Sequence, residues 1–112
     1  MVEQDPVERQ LQAYNRRNLD EFIACYAADA CIRDGRGETL LSGHAEMRAR
    51  YGVVFERHPE LHASVKGRLR AGEWTVDEEQ VVLEGVPLHL LVAYHVEAGL
   101  IRDVVMLRAD SI

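Results

Sequence analysis

The sequence predicts an α+β domain, and three observations carry that prediction. Apolar residues recur at helical spacing through the first half of the chain and shift to extended, alternating patterns from Leu61 onward. The second half is also cut into even lengths by the short turns "AGE", "GVP" and "EAG". Strands joined so briefly must pair as antiparallel hairpins, and runs of helices followed by runs of strands place helices on one face of a sheet. A length of 112 residues fits a single domain, residues 1–112, with no room for a second core.

The first element is "DPVERQLQAYNRRN", with Asp5 as N-cap and Pro6 at the first helical position. Val7, Leu11 and Tyr14 recur at helical spacing, with Gln10 on the same side. "NLDEFIACYAA" restarts a helix, capped by Asn18 with Glu21 three residues on. Its apolar face is Leu19, Phe22, Ile23 and Tyr26. "ACIRD" then reads as a short strand ended by the turn Gly35 to Gly37. The third helix runs from Gly43 to His58 and stops at Pro59. Met47, Tyr51, Val54 and Phe55 form its buried stripe. Strands follow at 61–71, 74–84, 88–97 and 100–108.

Thirteen basic and nineteen acidic residues give a net charge of −6. That balance, with the basic residues scattered, argues against a nucleic-acid backbone or an anionic membrane as partner. No apolar stretch reaches the roughly 20 residues needed to cross a bilayer. The opening "MVEQDPVERQ" is acidic and polar, unlike a secretory signal. Cys25 and Cys31 lie in no metal-binding spacing and are expected to be reduced, in a cytoplasmic setting, with a disulfide between them as the alternative. No metal site is expected.

In the strand "LHLLVAYHVE" both faces are apolar. Leu88, Leu90, Val92, Tyr94 and Val96 share one face; His89, Leu91, Ala93 and His95 share the other. Helices on one side of the sheet cannot cover both, so a homodimer through the outer sheet face is expected.

Three segments carry a resemblance: "AYNRRNLDEFIACYAADACIRD", "LSGHAEMRARYGVVFERHPEL" and "LVAYHVEAGLIRDVVMLR". In order and spacing they resemble the nuclear transport factor 2-like superfamily, which includes ketosteroid isomerases and SnoaL-like polyketide cyclases. The resemblance implies a cone-shaped, curved antiparallel sheet wrapped around three N-terminal helices, with an open-ended pocket. Because that fold serves isomerases, cyclases, dehydratases and non-catalytic proteins alike, function has to be argued from residues.

In the ketosteroid isomerases an Asp at the end of this strand is the general base, and a Tyr and a protonated Asp hold the oxyanion. Asp34 falls on the position of the base. Gln10 occupies the position of the Tyr and Leu91 that of the second acid, so a ketosteroid isomerase is not implied. Tyr14, one turn after Gln10, and His89 are the candidate replacement donors.

The same alignment turns His89, Leu91, Ala93 and His95 inward, together with Val104, Met106 and Arg108, and lets Arg108 hold an acidic substrate group. Apolarity alone turns Leu88, Leu90, Val92 and Tyr94 inward instead. Asp34 has Phe22, Tyr26 and Ile32 as neighbours that would desolvate it; its plainer role is to accept hydrogen bonds from the turn after it. In "WTVDEEQVV", Asp77 and Glu79 share a face. They are either pocket carboxylates or part of a solvated, acid-rich strand. Tyr51, Phe55, Trp74 and Met106 are bulky enough to fill the pocket.

The expected function is therefore a cofactor-independent cavity protein of the SnoaL-like kind. It would take a small apolar or weakly acidic organic ligand and perform isomerase- or cyclase-type proton transfer with Asp34 as base. The alternative is a non-catalytic dimeric module whose pocket is filled by its own side chains.

Overall fold

The computed structural model describes residues 5–108. Three helices and six strands alternate in the order α1 (Pro6–Arg16), α2 (Leu19–Ala24), β1 (Tyr26–Asp34), β2 (Thr39–Ser42), α3 (Gly43–Arg57), β3 (His62–Ala71), β4 (Trp74–Leu83), β5 (Val86–Glu97) and β6 (Leu100–Arg108). The strands form one curved sheet in the order β2-β1-β6-β5-β4-β3, as the α+β reading expects. Every neighbouring pair is antiparallel except β1 and β6, which run parallel.

The helix starts follow the sequence. Asp5 accepts a hydrogen bond from the Val7 amide at 3.2 Å, and Asn18 accepts from the Glu21 amide at 3.1 Å. Only half of the box forms at Asn18, because the Glu21 carboxylate pairs with Arg16 at 2.7 Å. The second helix is shorter than its sequence suggests. It ends at Ala24, and Tyr26 already pairs with Ile101 of β6. Six residues make a marginal helix, so pairing with the sheet wins over local propensity. Strand β2 is absent from the sequence reading; it pairs with β1 through the turn after Asp34.

Two hairpins are closed by two-residue turns in which both residues take positive φ: Glu84-Gly85 at 51° and 77°, and Ala98-Gly99 at 54° and 79°. Such turns match the twist of the flanking strands and fix their register. Glu79 therefore stands opposite Leu90, and Tyr94 opposite Val104. An extra residue in β6, Arg102, lets Ile101 point into the core while Asp103 points outward to Arg33 at 2.8 Å.

Five aromatic rings gather where the helices meet the sheet. Phe22 lies at their centre, with ring centroids 4.7 Å from Tyr51, 5.2 Å from Tyr26, 5.6 Å from Phe55 and 5.9 Å from Tyr14. Its substitution F22A empties that centre and is expected to destabilise the fold by about 3–5 kcal/mol. Denaturant unfolding checks this as a lowered midpoint with little change in slope.

Candidate functional site

Strand β4 alternates strictly between the interior and the outer face. Thr75, Asp77, Glu79 and Val81 are buried, and the residues between them face outward. The acid-rich strand thus brings two carboxyl groups into the cone, and the structure treats them differently. Asp77 is fully buried and held by a two-pronged Arg68 pair at 2.6 and 2.9 Å; Arg68 also reaches Glu8 at 3.0 Å. Both carboxylates keep the guanidinium firmly charged, and the two-pronged contact with Asp77 holds Arg68 in place.

Glu79 has a neutral donor instead. The Tyr94 hydroxyl donates to its carboxylate at 2.9 Å, and the Gln10 amide nitrogen donates to the Tyr94 oxygen at 3.3 Å. The Tyr26 hydroxyl in turn donates to the Gln10 carbonyl oxygen at 3.1 Å, and the Gln10 nitrogen is anchored on the Val7 carbonyl at 3.1 Å. This buried chain links β1, α1, β5 and β4 and gives the Gln10 amide one orientation. Burial pushes Glu79 up from 4.5 to about 7. The Tyr94 hydrogen bond opposes that rise, Asp77 adds to it, and Arg68 opposes it.

Glu79 opens onto a cavity of about 100 Å³ whose polar lining is Gln10, Tyr14, Tyr26, Tyr51, Glu79 and Tyr94. Six wall residues (Tyr14, Ile32, Tyr51, Val81, Leu90 and Met106) are shared with an outer chamber of about 330 Å³ that is apolar except for Tyr14, Tyr51 and Arg50. The hydroxyls of Tyr26 and Tyr94 are tied into the hydrogen-bond chain. Among the described residues, those of Tyr14 and Tyr51 have no hydrogen-bond partner and face the cavity as available donors. Burial raises all four phenols, Tyr51 to about 12, so each stays protonated at neutral pH.

Of the residues singled out in the sequence, Gln10, Tyr14, Tyr26, Tyr51, Glu79 and Met106 line the inner cavity. Asp34 does not. Its carboxylate accepts from the amides of Arg36 at 2.9 Å and Glu38 at 3.0 Å, closing the β1–β2 turn. Asp77 is sealed behind its ion pair, and Phe55 packs behind Tyr14 and Tyr51. Trp74 does not plug the pocket: it lies on the outer face over the His95 ring, 5.0 Å between centroids. Arg108 ends β6, and its side chain lies outside the described residues.

The inward assignment of β5 is reversed relative to the resemblance. Leu88, Leu90, Val92 and Tyr94 face the interior, while His89, Leu91 and His95 lie on the outer face. His89 meets Glu78 there at 2.7 Å, and Leu91 is one of the exposed apolar residues. The register requires this. Val92 and Tyr94 stand directly opposite Met106 and Val104, and opposed residues share a face. Glu79, and not Asp34, is the carboxylate on the wall of the inner cavity. The turn Glu84-Gly85 and the uniform face of β5 held the signal, because they align Glu79 with Leu90. His95 does approach Glu73 and Glu97, with potential ligand atoms within 4.8 Å of one another. Those carboxylates are already engaged, Glu73 by His95 and Glu97 by Arg102, each at 3.0 Å.

The raised Glu79 value fixes the sign of a pH effect. Between pH 4.5 and about 7 the folded chain holds a proton that the unfolded chain has released, so stability falls as pH rises through that window. The variant E79Q stays neutral throughout and removes the dependence. Across the window, wild type should lose on the order of 3 kcal/mol relative to E79Q, measured by denaturant unfolding at stepped pH. Y94F, which deletes the hydrogen bond favouring the ionised form, should move the window upward.

Three solved structures share this architecture. An uncharacterized cystatin-fold protein from Novosphingobium aromaticivorans superposes with a TM-score of 0.86 at 22% identity, covering 92% of this chain and 95% of that one. A proposed ketosteroid isomerase from Kribbella flavida gives 0.80 at 19% identity, covering 96% and 77%. A SnoaL-like protein of unknown function from Burkholderia thailandensis gives 0.79 at 15% identity, covering 91% and 89%. At these identities the likeness is one of fold. No curated protein matches the sequence. The family model of the SnoaL-like domain matches residues 7–104, nearly the whole described chain. The chain belongs to the SnoaL-like domain family, within the nuclear transport factor 2-like fold.

Proposed function

We propose that the chain is a proton-transfer enzyme acting on a small, largely apolar organic ligand, with Glu79 as the general base and acid. One observation carries this reading: a buried carboxyl group, which burial pushes up to about 7, lines a cavity whose other unengaged polar groups are phenol donors. In the ionised form Glu79 takes a proton from a carbon beside a ligand carbonyl. The Tyr14 and Tyr51 hydroxyls donate to the enolate oxygen that forms, and the proton returns from Glu79 to a second carbon. Such chemistry requires neither an organic cofactor nor a metal. Asp34 stays a turn residue in this scheme. The buried Cys25 and half-buried Cys31, both free thiols, fit a reducing, cytoplasmic setting.

The reading can be tested before the natural substrate is known. Cyclohexanone in deuterated water exchanges the hydrogens beside its carbonyl, and NMR follows the rate. The wild-type protein is expected to accelerate exchange with a pH dependence rising through about 7, as Glu79 ionises. E79Q should lower the catalysed rate about 10²–10⁴-fold, whereas D34N should leave it within about twofold. Loss of rate in D34N with E79Q intact would return the base to Asp34. No acceleration by any form would favour the non-catalytic binding module.

We further propose that the outer sheet face seats a second copy of the chain. Val76, Ala93 and Val105 form one row across it, with Leu91 and Leu107 beside them and Trp74 at one end. Trp74, Leu91 and Leu107 are exposed in the single chain. Sedimentation should give a dimer for wild type and a monomer for a folded L91K variant; a wild-type monomer would contradict the proposal.

A further inference from the structure

Both chambers of the cone carry charge at one place each. Glu79 lies at the inner end. Arg50 is the one cation among the residues lining either chamber, and it belongs to the outer one. Apart from Arg50 and the two phenols, that outer chamber is walled by Ile, Leu, Val and Met side chains.

Arg50 also has no anionic partner within the described chain. The acid one turn before it on α3 is Glu46, which is well placed for an ion pair. Glu46 is engaged elsewhere: its carboxylate accepts the Ser42 amide at 2.8 Å, at the start of the helix. The other described arginines on α3 differ from Arg50. Arg48 pairs with Asp20 at 2.7 Å, and Arg57 lines neither chamber.

We propose that the pocket selects an amphipathic carboxylate, whose acid group rests on Arg50 at the mouth while its apolar body fills the outer chamber and its far end meets Glu79. This rests on the reading of the cone as a ligand pocket and adds the ligand's class and direction. The direction follows from charge. An acid group at the inner end would face Glu79, and above its midpoint two carboxylates there would repel each other. At the mouth, a guanidinium offers two parallel N–H donors matched to a carboxylate, beside apolar walls that weaken competition from water. The reacting part of the ligand is thereby delivered uncharged to Glu79, Tyr14 and Tyr51.

The test uses phenylnaphthylamine, a neutral dye that brightens in apolar cavities, displaced by octanoate or by octanol. In the wild-type protein octanoate should displace the dye at least about fivefold more tightly than octanol, with the advantage shrinking as salt is added. R50Q should erase the advantage of octanoate and leave octanol unchanged. R57Q, on the same helix but away from the chambers, should keep the advantage, which separates a contact from general charge.

Two outcomes would overturn the proposal while leaving the pocket intact: dye binding with octanoate no better than octanol, or an octanoate preference that survives R50Q. Failure of the dye to bind at all would remove the ligand pocket, and this proposal with it.

Discussion

The conformation of the cone's interior depends on one line of hydrogen bonds running from Tyr26 through Gln10 and Tyr94 to Glu79. The links join different elements, so α1, β1, β5 and β4 must be seated together before the whole line is complete. A partly satisfied buried polar network is costly, and that cost ties the register of the strands to the placement of the first helix. The same line sets which polar groups the cavity offers. It occupies two of the four phenols and leaves Tyr14 and Tyr51 available. It also gives Glu79 a neutral donor where Asp77, two residues earlier, receives a full cation. Two acids on one strand face therefore have different surroundings: Asp77 is clamped by Arg68, and Glu79 is raised by burial to about 7.

Much of the architecture was legible in the chain. The caps at Asp5 and Asn18, the stripe on α3 and the glycine turns each rest on local chemistry that tertiary packing did not override. The departures have a common cause. Tyr26 to Ala28 look helical because they follow a good helix start, yet they belong to β1 because β6 provides backbone partners there. Strand β2 is four residues with little pattern of its own, and it exists through its pairing with β1. Long-range pairing of this kind leaves only a weak trace in a local window.

The site was legible in part, and the instructive error concerns parity. The resemblance pointed to Asp34 and turned His89 inward, whereas plain apolarity turned Leu88, Leu90, Val92 and Tyr94 inward. The apolar face is the one that turns inward, because a strand with one uniform apolar face gains most by burying that face. Once β5 is set this way, its two-residue turn forces the odd residues of β4 into the cone, and Glu79 with them. Arg50 left no trace in a sequence reading centred on strands. Its placement follows from α3 supplying Arg50, Tyr51 and Val54 to the wall of the outer chamber, a property of packing rather than pattern.

The central claim is that Glu79, and not Asp34, is the ionisable group of the pocket. Carbon-detected NMR titration of the side-chain carboxyls, with E79Q and D34N used to assign the two signals, tests it directly. A Glu79 midpoint at about 7 is the predicted result. A Glu79 midpoint at or below 4.5 would mean a solvated or ion-paired carboxylate, and would contradict the account.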